Sequence, residues 1–300
     1  MKIKFREARI SRANRERLSL VNSIIEEYQA AGYVLTLRQL YYQLVSRDVI
    51  PNLDTEYAKL SNLLKEGRMG GIVDWDAIED RLRQPNKPSS WSTPENILDS
   101  AIHSYTRDLQ EGQPTYIEVW VEKDALSGVL KRVTHKYHIP IMVNRGYSSV
   151  SAMYDAYNRF VRNGVWEARP IKILYLGDFD PSGLDMIRDI ADRTNEFKDG
   201  ADFSNATPFD FSVRHIALTM PQIEEHTPPP NPAKIKDPRA TDFIAKYGGT
   251  SWEVDALRPE VLHSVLENAI LEEMDMERYE QAKHDTEEGK NKLKSLKKYL

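Results

Sequence analysis

A chain of 300 residues with 40% apolar and 29% charged side chains has the makeup of an ordinary globular protein, with room for two cores. No stretch approaches the roughly 18 apolar residues of a bilayer span, and MKIKFREARISRANRERL lacks a signal peptide's apolar centre, so a cytoplasmic protein without membrane attachment is expected. The absence of cysteine excludes disulfides and thiolate zinc sites, while the net charge of −5 argues against a uniformly basic nucleic-acid binder.

The charge is unevenly spread. Residues 1–17 carry Lys2, Lys4, Arg6, Arg9, Arg12, Arg15 and Arg17 against Glu7 and Glu16. The last dozen carry Lys290, Lys292, Lys294, Lys297 and Lys298 with no acid. Basic ends of this kind suit phosphate contact or plain solvation.

Residues 18–82 read as three helices and a short hairpin. Leu18, Val21, Ile24, Ile25 and Tyr28 make one apolar face, and Gly32 ends it. Thr36 then caps a second helix, TLRQLYYQLVSRD, and a third spans 54–66 with Tyr57, Leu60, Leu63 and Leu64 inward. Gly67, Gly70 and Gly71 lead into IVDW, which reads as a wing. This is the pattern of a winged helix-turn-helix, whose third helix enters the major groove, although three-helix units also serve as protein-contact modules. On the second helix, Leu37, Leu40, Tyr41 and Leu44 share the core stripe. Tyr42 falls off it and is expected to point outward, with Arg38 one turn away. From the residues alone, Tyr42 is either a surface aromatic or a nucleophile awaiting a cation that favours phenolate.

QPNKPSSWSTPEN (84–96) is a connector, and HTPPPNPAKIKDP (226–238) is too rich in proline for regular structure. Between them lies an alternating strand–helix region. Tyr116 to Val121 is an apolar run ending in Glu122 and Lys123. A strand over 139–143 precedes Arg145 and Gly146, and a helix covers 150–161. Ile171 to Leu176 is a third strand, followed by Asp178-Phe179-Asp180 and Pro181. In an extended chain Asp178 and Asp180 converge while Phe179 turns back. Acidic groups at the carboxyl ends of such strands suit a hard cation such as Mg²⁺. The same Asp180-Pro181 pair is also a good helix start.

Strand-Glu, strand-Arg-Gly and strand-Asp-x-Asp together resemble the Toprim domain of topoisomerases, primases and related nucleases. DPSG and RQLYYQL are similar to segments of the topoisomerase VI A-subunit family, which includes the meiotic double-strand-break protein. The likeness covers residues 18–225, and TSWEVDALRPEVLHSVLENAI resembles the strand-free tail of short stand-alone relatives. It implies an α/β protein with a winged-helix domain at 1–88, a connector at 89–113, a Rossmann-like parallel-sheet Toprim domain at 114–226, and a Pro-rich segment with a C-terminal helical extension at 227–300. The extension's apolar residues, Val261, Leu262, Val265, Leu266, Ala269 and Ile270, are expected to pack on the sheet.

By position, the resemblance implies Glu122, Asp178 and Asp180 as Mg²⁺ ligands and Tyr42 as the nucleophile that remains joined to a 5′ phosphate. Arg38 would be its phosphate-binding companion, with Lys123 and Arg145 near the scissile phosphate. It further implies double-stranded DNA as substrate, a homodimer whose Tyr and metal site come from different protomers, and a GHKL-type ATPase B subunit as partner. Two features depart from the family pattern. Gln39 stands where an acid is usual, and the N-terminus is brief for the usual contact with the B subunit. A Toprim nuclease using water, with Tyr42 structural, is an alternative; a non-catalytic DNA-binding protein is another. A haloacid-dehalogenase-type phosphohydrolase fits less well, because Ser182 stands where it wants Thr.

Overall fold

The computed structural model describes residues 1–79, 88–200, 209–232 and 239–297. Residues 84–87 of the connector, 233–238 of the Pro-rich stretch and Lys298 lie outside the described residues.

Three helices open the chain: α1 (Arg12–Ala30), α2 (Leu37–Ser46) and α3 (Asp54–Met69). The buried face of α1 is the stripe from Leu18 to Tyr28 that its spacing predicts. At the start of α2, Thr36 Oγ1 accepts the Gln39 N–H at 3.3 Å and Gln39 Oε1 accepts the Thr36 N–H at 2.9 Å. Gln39 thus closes a reciprocal cap, a task glutamine performs as well as an acid.

The hairpin expected after α3 is not formed among the described residues. A turn and a single 3₁₀ turn, Trp75–Ala77, stand there instead. The backbone partners come from elsewhere: Gly70 bridges to Lys4 and Ile78 to Leu35, so the N-terminal segment and the approach to α2 take the place of a second wing strand.

After α4 (Pro94–Ser104) the chain builds a four-stranded, wholly parallel sheet. Its elements are β1 (Tyr116–Val121), α5 (Ser127–Lys136), β2 (Ile141–Val143), α6 (Val150–Phe160), β3 (Ile171–Leu176), α7 (Pro181–Gly200) and β4 (Phe211–Ala217). Alternation along the strands divides the core. Ile117, Val119 and Val121 face α5, while Tyr116 and Trp120 face α6 and α7. The strand order is β2-β1-β3-β4. The chain therefore moves outward from β1 to β2, then crosses back to β3 on the other side of β1. α5 and α6 leave on opposite faces, so a crevice opens at the carboxyl ends of β1 and β3, where open α/β sheets carry ligands.

One charge lies inside this sheet. Glu118, fully buried in β1, accepts from Tyr116 Oη, from Trp120 Nε1 and from Arg159 through Nε and Nη2, at 2.7 to 3.0 Å. A paired and fully bonded carboxylate can be held there; a lone one could not.

The remainder comprises α8 (Met220–His226), β5 (Asn231–Pro232), α9 (Ala240–Tyr247), β6 (Thr250–Ser251), α10 (Pro259–Leu271) and α11 (Met276–Leu296). The tail expected to be free of strands is not: β6 pairs with β5, and the next residue, Trp252, exchanges backbone hydrogen bonds with Phe179 at 2.8 and 3.1 Å. Leu262, Leu266, Ala269 and Ile270 of α10 join the core on the α5 side of the sheet. No helix among the described residues is long and apolar enough to cross a membrane.

Candidate functional site

Glu122 follows β1 directly and Asp178 stands two residues beyond β3. The pairing of Val121 with Leu176 sets these two strand ends side by side. Glu122 Oε2 accepts the Asp178 backbone N–H at 2.9 Å, so residues 56 apart in sequence meet at the crevice. Asp178 Oδ1 accepts the Val254 N–H at 2.9 Å, and Oδ2 pairs with Lys123 Nζ at 2.8 Å. Burial pushes the Asp178 carboxyl up to about 8; Lys123 opposes this, and the negative charges of Glu122 and Asp255 add to it.

Asp180 is also buried, and its Oδ1 caps α7. It accepts the Gly183 N–H at 2.7 Å and the Ser182 hydroxyl at 3.0 Å. A side chain at Gly183 would run into the Asp178 carbonyl, so the tight turn depends on glycine. Phe179 turns back into the core, as the alternation predicts. Glu122, Asp178 and Asp180 all bear on the buried Tyr175 phenol below them. Burial first, and then these three carboxylates, push it up.

Lys123 does not lie open for a phosphate. Its ammonium sits between Asp178 at 2.8 Å, Glu253 at 2.8 Å and Asp255 at 3.1 Å. Burial alone would lower its pKa, but Asp255, Asp178 and Glu253 together raise it. Glu253 and Asp255 are the site residues that the sequence reading missed. Their Glu-x-Asp spacing in WEVDAL mirrors the Asp-x-Asp after β3. The visible signal was two acids amid buried Val254, Ala256 and Leu257.

Tyr42 is a correction. Expected to point outward, it is buried, with only 4% of its surface exposed. The α2 face that carries it is covered by the 3₁₀ turn Val254–Ala256, and Ala256 joins the core of the first three helices. Arg38 does lie beside it, with Nη2 donating to Tyr42 Oη at 3.4 Å. The guanidinium also pairs with Glu253 through Nη2, and its Nε lies 2.9 Å from Asp255 Oδ2 without hydrogen-bond alignment. Burial and then the Asp255 and Glu253 carboxylates push the Tyr42 phenol well up, with Arg38 opposing. This surrounding disfavours phenolate.

Arg145 is at the same edge, its N–H donating to the Glu122 carbonyl at 3.0 Å. Its side chain is mostly exposed and 3.4 Å from Asp124.

The donor chemistry suits a hard divalent cation. Around the crevice the carboxylates of Glu122, Asp178, Asp180, Glu253 and Asp255 outnumber the cations Lys123 and Arg38. Yet among the described residues no three His, Asp or Glu side chains are gathered as a ready metal cage. The reason is visible: Asp180 Oδ1 faces the α7 start, and Lys123 takes Asp178 Oδ2. No family model matches the chain, and no curated protein sequence matches it.

Proposed function

We propose that this protein cleaves double-stranded DNA by tyrosine transesterification, as a topoisomerase VI A-like enzyme built from a winged-helix module and a Toprim domain. One observation carries the reading. Tyr42 with Arg38, and Asp178 with Glu122, are joined to one charged cluster through Glu253 and Lys123. A phenol and a strand-end acidic centre from distant parts of one chain thus share one locus, at the switch point of a parallel sheet, where the family resemblance implies that they come from different protomers.

In this reading Tyr42 Oη attacks the phosphorus in line, the P–O3′ bond breaks, the phenol proton ends on the departing 3′ hydroxyl, and a 5′-phosphotyrosyl link preserves the bond energy, so religation needs no ATP. Arg38 holds the non-bridging oxygens, joined by Lys123 once its carboxylate partners yield, and Arg145 holds the flanking backbone. Glu122, Asp178 and Asp180 are the residues that would hold Mg²⁺, which would supply positive charge where the transition state gathers negative charge. Arg9, Arg17 and Lys59, with Glu66, line a groove of about 300 Å³ between α1, α3 and the N-terminal segment; Glu56 pairs with Arg17 and Lys59, and a DNA backbone would have to compete for them there. A homodimer places one cut on each strand, and a GHKL-type ATPase subunit is the partner that would couple cutting to strand passage.

The burial of Tyr42 favours a second reading, hydrolysis by water at the acidic centre with Tyr42 structural. Protein, Mg²⁺ and duplex labelled at its 3′ ends are incubated together and then denatured. Label retained on the protein, and lost in Tyr42→Phe, supports transesterification. Free cut DNA that survives Tyr42→Phe supports hydrolysis, and binding without cutting refutes both.

A further inference from the structure

Three donors converge on one carboxylate. Glu253 Oε2 pairs with Arg38 Nη2 and with Lys123 Nζ, the latter at 2.8 Å. The Tyr42 hydroxyl, 3.4 Å from the same Arg38 nitrogen, faces this carboxylate too. A guanidinium, an ammonium and a hydroxyl closing on a single anion form the donor set that a phosphodiester takes, with the same charge of −1 and two equivalent oxygens.

Two of the three donors have ionic partners besides Glu253. Arg38 Nε keeps Asp255 Oδ2 at 2.9 Å, and Lys123 keeps Asp255 Oδ1 at 3.1 Å and Asp178 Oδ2 at 2.8 Å. The backbone on either side of Glu253 is fixed as well, Trp252 to Phe179 and Val254 to Asp178. The Glu253 side chain is held by its three donors alone, and it is more open than the phenol it faces: it is 25% exposed, whereas Tyr42 is 4% exposed. From Tyr42 through Glu253 and Lys123 to Asp178 the path is three contacts long, roughly 9 Å at hydrogen-bond spacing, a distance that one phosphate group and its ligands can bridge.

We propose that Arg38, Lys123 and Tyr42 form the binding position for a DNA phosphodiester, and that Glu253 is its internal occupant, displaced when DNA enters. The proposal rests on the DNA-cleaving reading and extends it to how the site is kept closed. It also accounts for Tyr42 being buried without being part of a purely apolar core.

The test is binding of a short fluorescent duplex, followed by anisotropy in EDTA so that no cleavage contributes. Glu253→Gln keeps the side-chain shape and removes the competing charge; it should bind about fivefold more tightly than wild type. Glu280→Gln, on the exposed face of α11, removes a charge elsewhere and should change affinity by less than about twofold. Arg38→Ala added to Glu253→Gln should abolish the gain. Glu253→Asp retracts the carboxylate by one methylene and should also tighten binding, which gives a second readout if the glutamine variant folds poorly. The proposal is overturned if neither Glu253 variant binds more tightly than Glu280→Gln, or if the gain persists without Arg38. Because binding is read without metal, a protein that never cleaves DNA can still pass, and one that cleaves can still fail.

Discussion

The Glu122 side chain accepts the backbone N–H of Asp178, which ties the end of one strand to the loop leaving the next. Glu122→Ala leaves that N–H, on a buried residue, without its partner and should cost about 1–3 kcal/mol of stability. Glu122→Gln retains an acceptor and should cost less. Urea midpoints of the two variants decide the order, and equal losses would mean that the contact contributes little.

A divalent ion at the strand ends should stabilise the folded chain. Wild type should melt at a higher temperature as Mg²⁺ is added, gaining about 2.7 kcal/mol when Mg²⁺ reaches a hundredfold excess over its dissociation constant. Asp178→Asn should lose this response. In EDTA it should melt no lower than wild type, since it removes a carboxylate that burial already disfavours. Scanning calorimetry with and without Mg²⁺ checks both statements.

Glu253 sets an acid limit. Burial works against its charge, but Lys123, Tyr42 and Arg38 hold the carboxyl down at about 2 against an unfolded value of 4.5. A depressed carboxyl gives stability that is present above the unfolded value and lost as pH falls through the folded one. Wild type should therefore exceed Glu253→Gln by on the order of 1–2 kcal/mol at pH 6, with the gap closing between pH 4.5 and 2. Urea denaturation at stepped pH measures the gap, and a constant difference across that window would contradict the assignment.

The pair of buried Glu118 and partly exposed Arg159 should be asymmetric to mutation. Arg159→Ala leaves the buried Glu118 with only the Tyr116 hydroxyl and the Trp120 indole N–H as partners and should cost about 1–3 kcal/mol. Arg159→Ala combined with Glu118→Gln should recover part of that loss, because the stranded charge is gone. Equilibrium unfolding of the single and double variants is the measurement.

Basic residues along the α1–α3 groove should act on DNA through charge alone. Arg9→Ala and Lys59→Ala should each weaken binding to any sequence and shallow the slope of log affinity against log salt by about 1. A slope unchanged in both would take DNA away from this groove.

Much of the sheet was legible because buried strands leave continuous apolar runs. Tyr116–Val121 and Ile171–Leu176 begin and end where the pattern says. β4 was not read, since Ser212, Arg214 and His215 interrupt its apolar pattern and five of its seven residues are at least partly exposed at the sheet edge. The meeting of Glu122 with Asp178 follows from two parallel strands paired in register, and sequence order carries that. The burial of Tyr42 could not be read from α2. Helical spacing reports only which face is apolar within the helix, and the residues covering this one lie more than two hundred positions away. Glu253 and Asp255 were hidden for the same reason: their role comes from Lys123 and Arg38, which nothing nearby in sequence announces.

The reciprocal backbone bonds between Phe179 and Trp252 have a practical result for anyone dividing this protein into pieces. A fragment stopped after α8 would expose Phe179, the α2 tyrosine and an ammonium stripped of two counter-ions in a single stroke. Such a product should be insoluble or protease-sensitive, so the rear quarter of the chain has to travel with the front.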